Sequence, residues 1–397
     1  MTEDGRTALH YELHGDPDAP PVLLLGSLGS DLHMWDPQIH ALSAHHRVIA
    51  VDHRGHGGSP APTPTGPYTI ADLGGDVVAL LDTLAIDAVH FVGLSLGGAV
   101  GQWLAAHRPQ HLRTLTVLCT AAQFAPAQPW LDRAAAVRAD GVASIADAVV
   151  GRWFTPELAQ RDPELVARHV AMVRGTTDEG YAACCEALAH WDGRPDLARI
   201  VAPTLVIAAE QDGPTPPAAL QEIADGIADA EFHVVSPGAH LANVEQAGTV
   251  TRLIARHIAA ATPVGVARRA VHDAGMSVRR SVLGDTHVDR AIANSTAFTE
   301  PFQDFITRTA WGDIWAREGL DHPTRRLLTL AILTAVGNEH ELDMHIRAAL
   351  RAGTDPELLV EVFLHTAVYA GVPNSNRAFA LGKQALADLA GATEGST

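Results

Sequence analysis

The stretch VGLSLGGAV, residues 92–100, decides the fold of the first two thirds of this 397-residue chain. Its Gly-x-Ser-x-Gly pattern frames Ser95 between Gly93 and Gly97. The apolar residues before Ser95 are typical of a buried strand, and residues 97–107 are typical of a helix. A serine at such a junction lies at the end of a sheet, beside helix N–H groups that favour negative charge. The stretch therefore predicts a nucleophile elbow, and the alternative is an ordinary glycine-rich turn with a solvated serine.

Short apolar runs rich in valine, isoleucine and leucine flank this stretch and predict strands that are buried on both faces. They are residues 21–26, 47–52, 88–94, 112–119, 203–210 and 231–236. Helical patterns such as residues 70–85 lie between them, so the sequence predicts an α/β class with a doubly wound parallel sheet. Residues 124–198 contain helical patterns without a strand and predict a helical cap. A last helix is predicted over residues 241–260.

A serine nucleophile needs a base, and the order of the strands indicates where to find it. Asp212 follows the run 203–210, and His240 follows the run 231–236. Each has a simpler explanation, since Asp212 begins an Asp-Gly-Pro turn and His240 is one of 22 histidines. The order Ser95, Asp212, His240 after successive strands nevertheless predicts a catalytic triad. Glu210 is the alternative acid, although it lies closer to its strand.

Hydrolysis by a serine also needs two backbone N–H groups to hold the oxyanion. The residue after the nucleophile, Leu96, is predicted to supply one of them. The loop after the first apolar run, GSLGSDLHMW, is predicted to supply the other through Leu28.

Residues 1–262 resemble the α/β-hydrolase superfamily, and the resemblance rests on DHRGHGGS (52–59) and PGAHLANVEQ (237–246). Within it, GSLGSDLHMWDPQ (26–38) and the cap segment 129–157 are similar to the 3-oxoadipate enol-lactonases. Gly26 stands where that family's pattern leads us to expect asparagine. The resemblance implies cofactor-free hydrolysis of an enol-lactone.

Trp130 and Arg133 are three residues apart in the predicted cap, so they share one face of a helix. We expect both residues to line the pocket for the lactone, and Arg133 to bind the carboxylate of the substrate. An ordinary amphipathic cap helix is the alternative.

The remaining chain is predicted to form an all-α domain over residues 263–393, after a linker around residues 261–270. Residues 268–393 resemble the 4-carboxymuconolactone decarboxylases. The stretches that carry the resemblance are SVLGDTHVDRA (281–291), FQDFITRTAWGDIW (302–315), TRRLLTLAILTAVGNEHELDMHIRAAL (324–350) and HTAVYAGVPNSNRAF (365–379). Thiol peroxidases of the wider superfamily use a CxxC motif, which this domain lacks, so that chemistry is excluded. Residues 394–397 are expected to be a tail, and the whole segment GATEGST (391–397) to be disordered.

Glu341 and His345 are four residues apart on a predicted helix and therefore share a face. The resemblance favours His345 as a general acid that Glu341 orients, and the alternative is a solvated ion pair. Arg325, Arg326 and His365 are candidates for binding the acidic substrate, and surface positions are the alternative for the two arginines. Trp311 and Trp315 are expected in the core or in a pocket wall.

The composition excludes several classes of partner. The formal net charge of −18 argues against nucleic-acid and membrane-surface binding. Three cysteines without a CxxC motif predict a reducing, cytoplasmic location, and the polar N-terminus MTEDGRTALHYELHG is unlike a signal peptide. No apolar run is long enough to span a bilayer, and no metal-ligand motif is present. We expect no metal and no cofactor, small lactone carboxylates as substrates, and homo-oligomerisation through the C-terminal domain, as the second resemblance implies.

The two resemblances together predict a bifunctional enzyme of the protocatechuate branch of the 3-oxoadipate pathway. The C-terminal domain would decarboxylate 4-carboxymuconolactone to 3-oxoadipate enol-lactone, and the N-terminal domain would hydrolyse the enol-lactone. The alternative is a general serine esterase or a cofactor-free haloperoxidase-like hydrolase with a non-catalytic oligomerisation domain. A binding protein on an inactive hydrolase scaffold is disfavoured because all three triad positions are intact. A haloalkane dehalogenase would need an aspartate at position 95.

Overall fold

The computed structural model describes residues 7–62, 66–296 and 298–394, and the chain divides into two compact units, 1–262 and 263–397. The predicted tail falls partly outside these ranges, because residues 395–397 are not described. Residues 391–394, which were expected to be disordered, continue the last helix to Glu394. The alanines around Gly391 favour helix and offset the cost of one glycine, which is about 1 kcal/mol.

The N-terminal unit contains a seven-stranded sheet in the part of the chain that the structure describes. Its strands are β1 (Tyr11–His14), β2 (Pro21–Leu25), β3 (Arg47–Val51), β4 (Val89–Leu94), β5 (Leu112–Leu118), β6 (Thr204–Ala209) and β7 (Glu231–Val235). They lie in the order β1-β3-β2-β4-β5-β6-β7, and all neighbours are parallel except β1 and β3. Every predicted run forms a strand, which confirms the doubly wound sheet. The sequence missed β1, because this edge strand is only half-buried and forms no continuous apolar run.

Helices cover both faces of the sheet, as the alternating pattern predicts. Their bounds are Leu32–Trp35 (3-10), Asp36–Leu42, Ile70–Thr83, Leu96–His107, Pro109–His111 (3-10), Pro217–Gly226, Ala242–Glu245 and Ala247–Ala260. The helix expected over 241–260 is therefore interrupted at Gln246, whose backbone is not helical (φ −114°, ψ 40°). The residues of β4 are all buried, so the strand that carries the elbow lies in the centre of the core.

The cap is helical, as predicted, and lies between β5 and β6 in the chain. Its helices are Gln128–Asp140, Val142–Ser144 (3-10), Ala146–Val150, Pro156–Arg161, Pro163–Arg174, Asp178–Ala189 and Arg194–Arg199 (3-10).

The chain reverses its winding direction at β2, which lies between β3 and β4. Parallel pairing aligns Leu25 at the end of β2 with Gly93 near the end of β4. Loops at the carboxyl ends of strands at such a switch point form a crevice where ligands bind in open α/β sheets. The topology therefore brings the loop after β2 and Ser95 to the same place.

All regular secondary structure in the described residues of the C-terminal unit is helical. Its helices are Pro263–Leu283, Asp285–Ala293, Glu300–Ile306, Thr307–Trp315 (π), His322–Val336, Glu339–Arg351, Pro356–Ala370 and Val372–Glu394. Most of the predicted linker is helical, because Pro263 begins a 21-residue helix with an amphipathic pattern. Across all described ranges, no helix combines the length and apolarity that crossing a membrane requires.

The helix Pro263–Leu283 packs closely on the π-helix Thr307–Trp315. A Cβ atom on Gly275 would lie 2.2 Å from the Thr307 carbonyl oxygen, and one on Gly312 would lie 2.6 Å from the Val271 carbonyl oxygen. Glycines at both positions therefore allow the two backbones to approach, and they bring the inner face of the first helix against Thr307.

Candidate active sites

Ser95 lies in the sharp turn between β4 and the helix Leu96–His107. Its backbone has φ 56° and ψ −111°, a conformation that costs a non-glycine residue free energy. A Cβ atom on Gly93 would lie 2.2 Å from the Gly97 carbonyl oxygen, and one on Gly97 would lie 2.2 Å from the Leu25 carbonyl oxygen. The two glycines are needed because the turn leaves no room for side chains on either side of the serine.

His240 and Asp212 form a buried hydrogen-bonded pair. His240 Nδ1 donates to Asp212 Oδ2 at 3.0 Å, and Thr215 donates to the same carboxylate through Oγ1 (2.7 Å) and its backbone N–H (3.1 Å). Burial alone would raise the pKa of Asp212, but His240 and the bonds from Thr215 outweigh it and hold that pKa below its ordinary value of 3.8. Asp212 is therefore ionised near neutral pH and able to orient the imidazole.

Ser95 and His240 line one cavity of about 270 Å³. Ser27, Leu28 and the cap residue Trp153 also contribute to its wall. A buried base and an elbow serine on the same cavity are two of the parts that acyl transfer requires.

The N–H groups of Leu28 and Leu96 have no hydrogen-bond partner within the described ranges. The loop that carries Leu28 is held by its neighbours, since Asp52 Oδ1 accepts from the Leu32 N–H at 2.7 Å. His53 Nε2 donates to the Gly26 carbonyl oxygen at 2.9 Å. Burial lowers the pKa of His53 to about 3, so the ring is neutral. Free N–H groups on a fixed loop are suited to holding an oxyanion.

The cap closes the cavity with cationic and aromatic side chains. The Arg133 guanidinium lies 4.7 Å from the centroid of the Trp130 ring, and both residues line the cavity. Arg152 and Tyr181 line it too, and burial together with the charge of Arg133 lowers the pKa of Arg152. The Tyr181 hydroxyl is buried in the same wall, close enough to the Arg133 guanidinium to interact with it. This wall can therefore offer donors and positive charge to an anion.

A second cluster of titratable groups lies in the C-terminal unit, around the helix Glu339–Arg351. Glu341 and His345 are both half-buried on it. Burial lowers the pKa of His345; Glu341 opposes this effect, whereas His287 and Arg326 add to it. The cluster thus joins a carboxylate, two imidazoles and a guanidinium from three helices.

Comparisons with known proteins match both units of the chain. Residues 20–247 match the alpha/beta hydrolase fold family, and residues 300–384 match the carboxymuconolactone decarboxylase family. The 3-oxoadipate enol-lactonase 2 of Acinetobacter baylyi is 44% identical over 239 residues, which are 60% of this chain and 88% of that protein. The 4-carboxymuconolactone decarboxylase of the same organism is 45% identical over 120 residues, 30% of this chain and 90% of that protein. The crystal structure of the enol-lactonase from Burkholderia xenovorans LB400 superposes with a TM-score of 0.62 at 40% identity, covering 64% of this chain and 96% of the other.

The chain is an α/β hydrolase fused to a carboxymuconolactone decarboxylase family domain. The structure brings the predicted Ser95, His240, Leu28, Trp130 and Arg133 to one cavity of the hydrolase unit.

The alternative acid of the hydrolase unit, Glu210, is exposed and contacts Ser236 instead of His240. Sequence reasoning missed Arg152 and Tyr181, because a helical pattern in the cap does not indicate which side chains face the sheet.

In the decarboxylase-family unit, the contacts of Arg325 and His365 are with residues outside the cluster around His345. Arg325 donates to the backbone carbonyls of Leu320 and Arg317, at 3.2 and 3.0 Å. His365 is exposed and contacts Tyr369, with the two rings tilted by 38° and their centroids 4.8 Å apart. Their role as substrate ligands stays a prediction without a contact to support it.

Two further features of this unit bear on the sequence predictions. Trp311 and Trp315 are buried in an apolar cluster with their ring centroids 5.1 Å apart, in line with the expectation of a core position. His287 was not predicted, and its place in the motif GDTHVDRA is the one signal that could have suggested it. Within residues 7–62, 66–296 and 298–394, no group of three or more His, Cys, Asp or Glu side chains is arranged to hold a metal ion.

Proposed function

We propose that the hydrolase unit opens 3-oxoadipate enol-lactone and that the decarboxylase-family unit forms this lactone from 4-carboxymuconolactone. Relatives of both units carry the corresponding names. The observation that carries the proposal is the cavity in which Ser95 and His240 face Arg133 and Arg152. This cavity combines the groups for acyl transfer with positive charge for a substrate carboxylate.

Lactone opening follows from the roles of the residues around Ser95. Ser95 Oγ attacks the lactone carbonyl while His240 takes its proton, and the N–H groups of Leu28 and Leu96 hold the oxyanion. The carbon–oxygen bond of the ring then breaks, and the leaving enolate accepts the proton from His240 and ketonises. Water, deprotonated by His240, releases the acyl group as 3-oxoadipate. Asp212 keeps the imidazole in the required tautomer throughout.

Arg133 and Arg152 resolve an electrostatic conflict between the protein and its substrate. The chain has a net charge of −18, whereas the enol-lactone is itself a carboxylate. Two guanidinium groups in one cavity reverse the local field, and guanidinium groups bind carboxylates through charge-assisted hydrogen bonds. The Tyr181 hydroxyl, buried in the same wall, offers a further donor.

Decarboxylation in the second unit needs no external electron acceptor. The carbon–carbon bond to the departing carboxylate breaks, and its electrons pass through the ring double bond to the lactone carbonyl oxygen. CO₂ leaves and a dienolate remains, which becomes the enol-lactone when its α-carbon is protonated. We assign this protonation to His345, with Glu341 as the group that orients it and supports its charge.

The decarboxylase-family unit is also proposed to hold copies of the chain together. It carries many exposed large apolar side chains, among them Phe298 (93% exposed), Val368 (78%) and Tyr369 (80%). Large apolar side chains exposed in such number are typical of surfaces that contact other proteins. Light scattering on the purified chain should give a mass above 41.9 kDa, and a monomer at micromolar concentration would contradict this part of the proposal.

A cytoplasmic location is proposed from the cysteines. Cys119, Cys184 and Cys185 are all buried and unpaired. Free thiols are typical of reducing compartments.

Supplying the purified chain with 4-carboxymuconolactone tests the whole proposal. CO₂ and 3-oxoadipate should appear in equal amounts, and enol-lactone should be hydrolysed far faster than p-nitrophenyl acetate. Rapid hydrolysis of simple esters without CO₂ release would instead support a general esterase with a non-catalytic C-terminal unit.

A further inference from the structure

Arg279 is a buried cation without an anionic partner. It lies on the helix Pro263–Leu283, and only 5% of its surface is exposed. Its guanidinium donates to two neutral oxygens, Thr307 Oγ1 at 3.3 Å and Gln303 Oε1 at 3.0 Å. Its Nε is buried and has no hydrogen-bond partner among the residues that the structure describes. No carboxylate in those ranges pairs with it.

Other arginines of the chain show how unusual this environment is. Arg54 in the hydrolase unit is nearly as buried, but it forms an ion pair with Asp76 at 2.6 Å. Arg280, the next residue along the chain, pairs with Asp285 and Asp289 at the surface. Burying a guanidinium is costly unless an anion compensates its charge, so a site that retains one without a partner is prepared for an anion.

Arg279 lies on a helix that packs against the helix of His345, since Val282 and Leu283 share an apolar cluster with Met344 and Ala348. Its charge helps to lower the pKa of His287, which in turn contributes to the lowered pKa of His345. Arg326 also acts on His345, and its Nε is buried without a partner in the described part of the chain. Within the described ranges, two guanidinium groups without anionic partners therefore lie in this part of the unit, Arg326 acting on His345 directly and Arg279 through His287.

We propose that Arg279 binds the carboxylate that the lactone substrate retains, and that Arg326 faces the enolate oxygen that forms as CO₂ leaves. This inference rests on the proposed decarboxylase function. The retained carboxylate is the better partner for a strong buried cation, because a cation on the departing carboxylate would stabilise charge that the reaction has to remove. As CO₂ leaves, negative charge moves to the lactone oxygen, where a second cation beside His345 stabilises it before the α-carbon is protonated.

The first test compares Arg279→Met with Arg280→Gln in the full chain. The kcat/KM for CO₂ release should fall about 10- to 100-fold in Arg279→Met, mainly through KM, the range for a charge-assisted hydrogen bond. Arg280→Gln should change it less than about twofold, as expected for an exposed ion pair. A substrate whose retained carboxylate is methylated should be decarboxylated at similar rates by the wild type and Arg279→Met.

The thermal stability of Arg279→Met distinguishes a substrate-binding role of Arg279 from a structural role. Because Arg279 has no anionic partner in the free protein, Arg279→Met should leave the Tm of the C-terminal unit unchanged or higher. A lower Tm together with equal loss on both substrates would mean that Arg279 only supports the fold. Unchanged KM in a folded Arg279→Met chain would also overturn the inference.

A binding experiment keeps this inference separate from the proposed reaction. If the wild type releases no CO₂, the proposed function fails, but the anion site can still be titrated with adipate, a dicarboxylate that neither unit can convert. Calorimetry should then show one fewer equivalent bound by Arg279→Met than by the wild type or Arg280→Gln. Equal stoichiometry in all three chains would contradict the site.

Discussion

At the scale of single residues, the contribution of Arg133 to substrate binding can be measured most directly. Its guanidinium lies over Trp130 and lines the cavity of Ser95. Arg133→Ala should lower kcat/KM for enol-lactone by about 1.5–3 kcal/mol, the range for a hydrogen bond to a charged group. Hydrolysis of p-nitrophenyl acetate, which lacks the carboxylate, should suffer much less. Equal losses on the two substrates would identify Arg133 as structural.

The pH dependence of decarboxylation reports the surroundings of His345. Burial lowers its pKa below the ordinary 6.5, and His287 and Arg326 contribute. If protonated His345 is the acid, kcat/KM should fall as the pH rises through this lowered pKa. A bound carboxylate substrate stabilises the imidazolium, so the profile of kcat should fall at a higher pH.

Arg326→Met is the matching variant for this pH profile. Removing the guanidinium should move the midpoint of kcat/KM to a higher pH, because one of the charges that oppose protonation is lost. A midpoint that does not move would contradict the coupling between Arg326 and His345.

At the scale of elements, the contact between Pro263–Leu283 and the π-helix Thr307–Trp315 positions the decarboxylase cluster. Gly275→Ala would place a Cβ atom 2.2 Å from the Thr307 carbonyl oxygen, so one helix must move. The C-terminal unit should lose about 1–3 kcal/mol of stability, as measured by denaturant unfolding. CO₂ release should decline while lactone hydrolysis continues. Gly319→Ala is the control, since no atom lies within 4 Å of its added Cβ.

The sequence predicted those elements whose structure depends mainly on their own residues. The predicted strands formed because continuous apolar runs are suited to burial on both faces. The order of Ser95, Asp212 and His240 was predictable because each follows a recognisable strand. The π-helix was not predictable, since residues 301–311 look like an ordinary helix. Its hydrogen bonding accompanies the close approach of Gly275 and Gly312 to neighbouring backbone, which is a tertiary feature.

The anion-binding residues were harder to predict for the same reason. Arg325 and Arg326 are adjacent, yet one step along a helix turns a side chain by about 100°. Arg326 helps to lower the pKa of His345, whereas Arg325 donates hydrogen bonds to backbone carbonyls. Arg279 gave no signal because its neighbours Gln303 and Thr307 come from later helices.

At the scale of the whole molecule, neither proposed step uses a metal or a thiol. Both activities should survive exhaustive chelation and treatment with iodoacetamide. Burial raises the pKa of all three cysteine thiols, that of Cys185 to about 12, so little thiolate is available for alkylation. Loss of CO₂ release with EDTA, restored by a divalent metal, would contradict the mechanism of the second unit.

The two sites share no residue, and each lies within its own compact unit. His345→Gln should therefore abolish consumption of 4-carboxymuconolactone while supplied enol-lactone is still hydrolysed. Circular dichroism of the variant checks that the helices remain folded. Loss of both activities in a folded variant would show that the sites depend on each other.

We propose that one chain performs two successive reactions at separate sites, and the variant Ser95→Ala separates the two reactions. The variant lacks the nucleophile, so lactone hydrolysis should fall by several orders of magnitude. The measurement is CO₂ and enol-lactone followed together after 4-carboxymuconolactone is added. We expect CO₂ to be released at the wild-type rate and enol-lactone to accumulate in equal amount. If CO₂ release stops as well, or if 3-oxoadipate still forms at the wild-type rate, the two-site account is wrong.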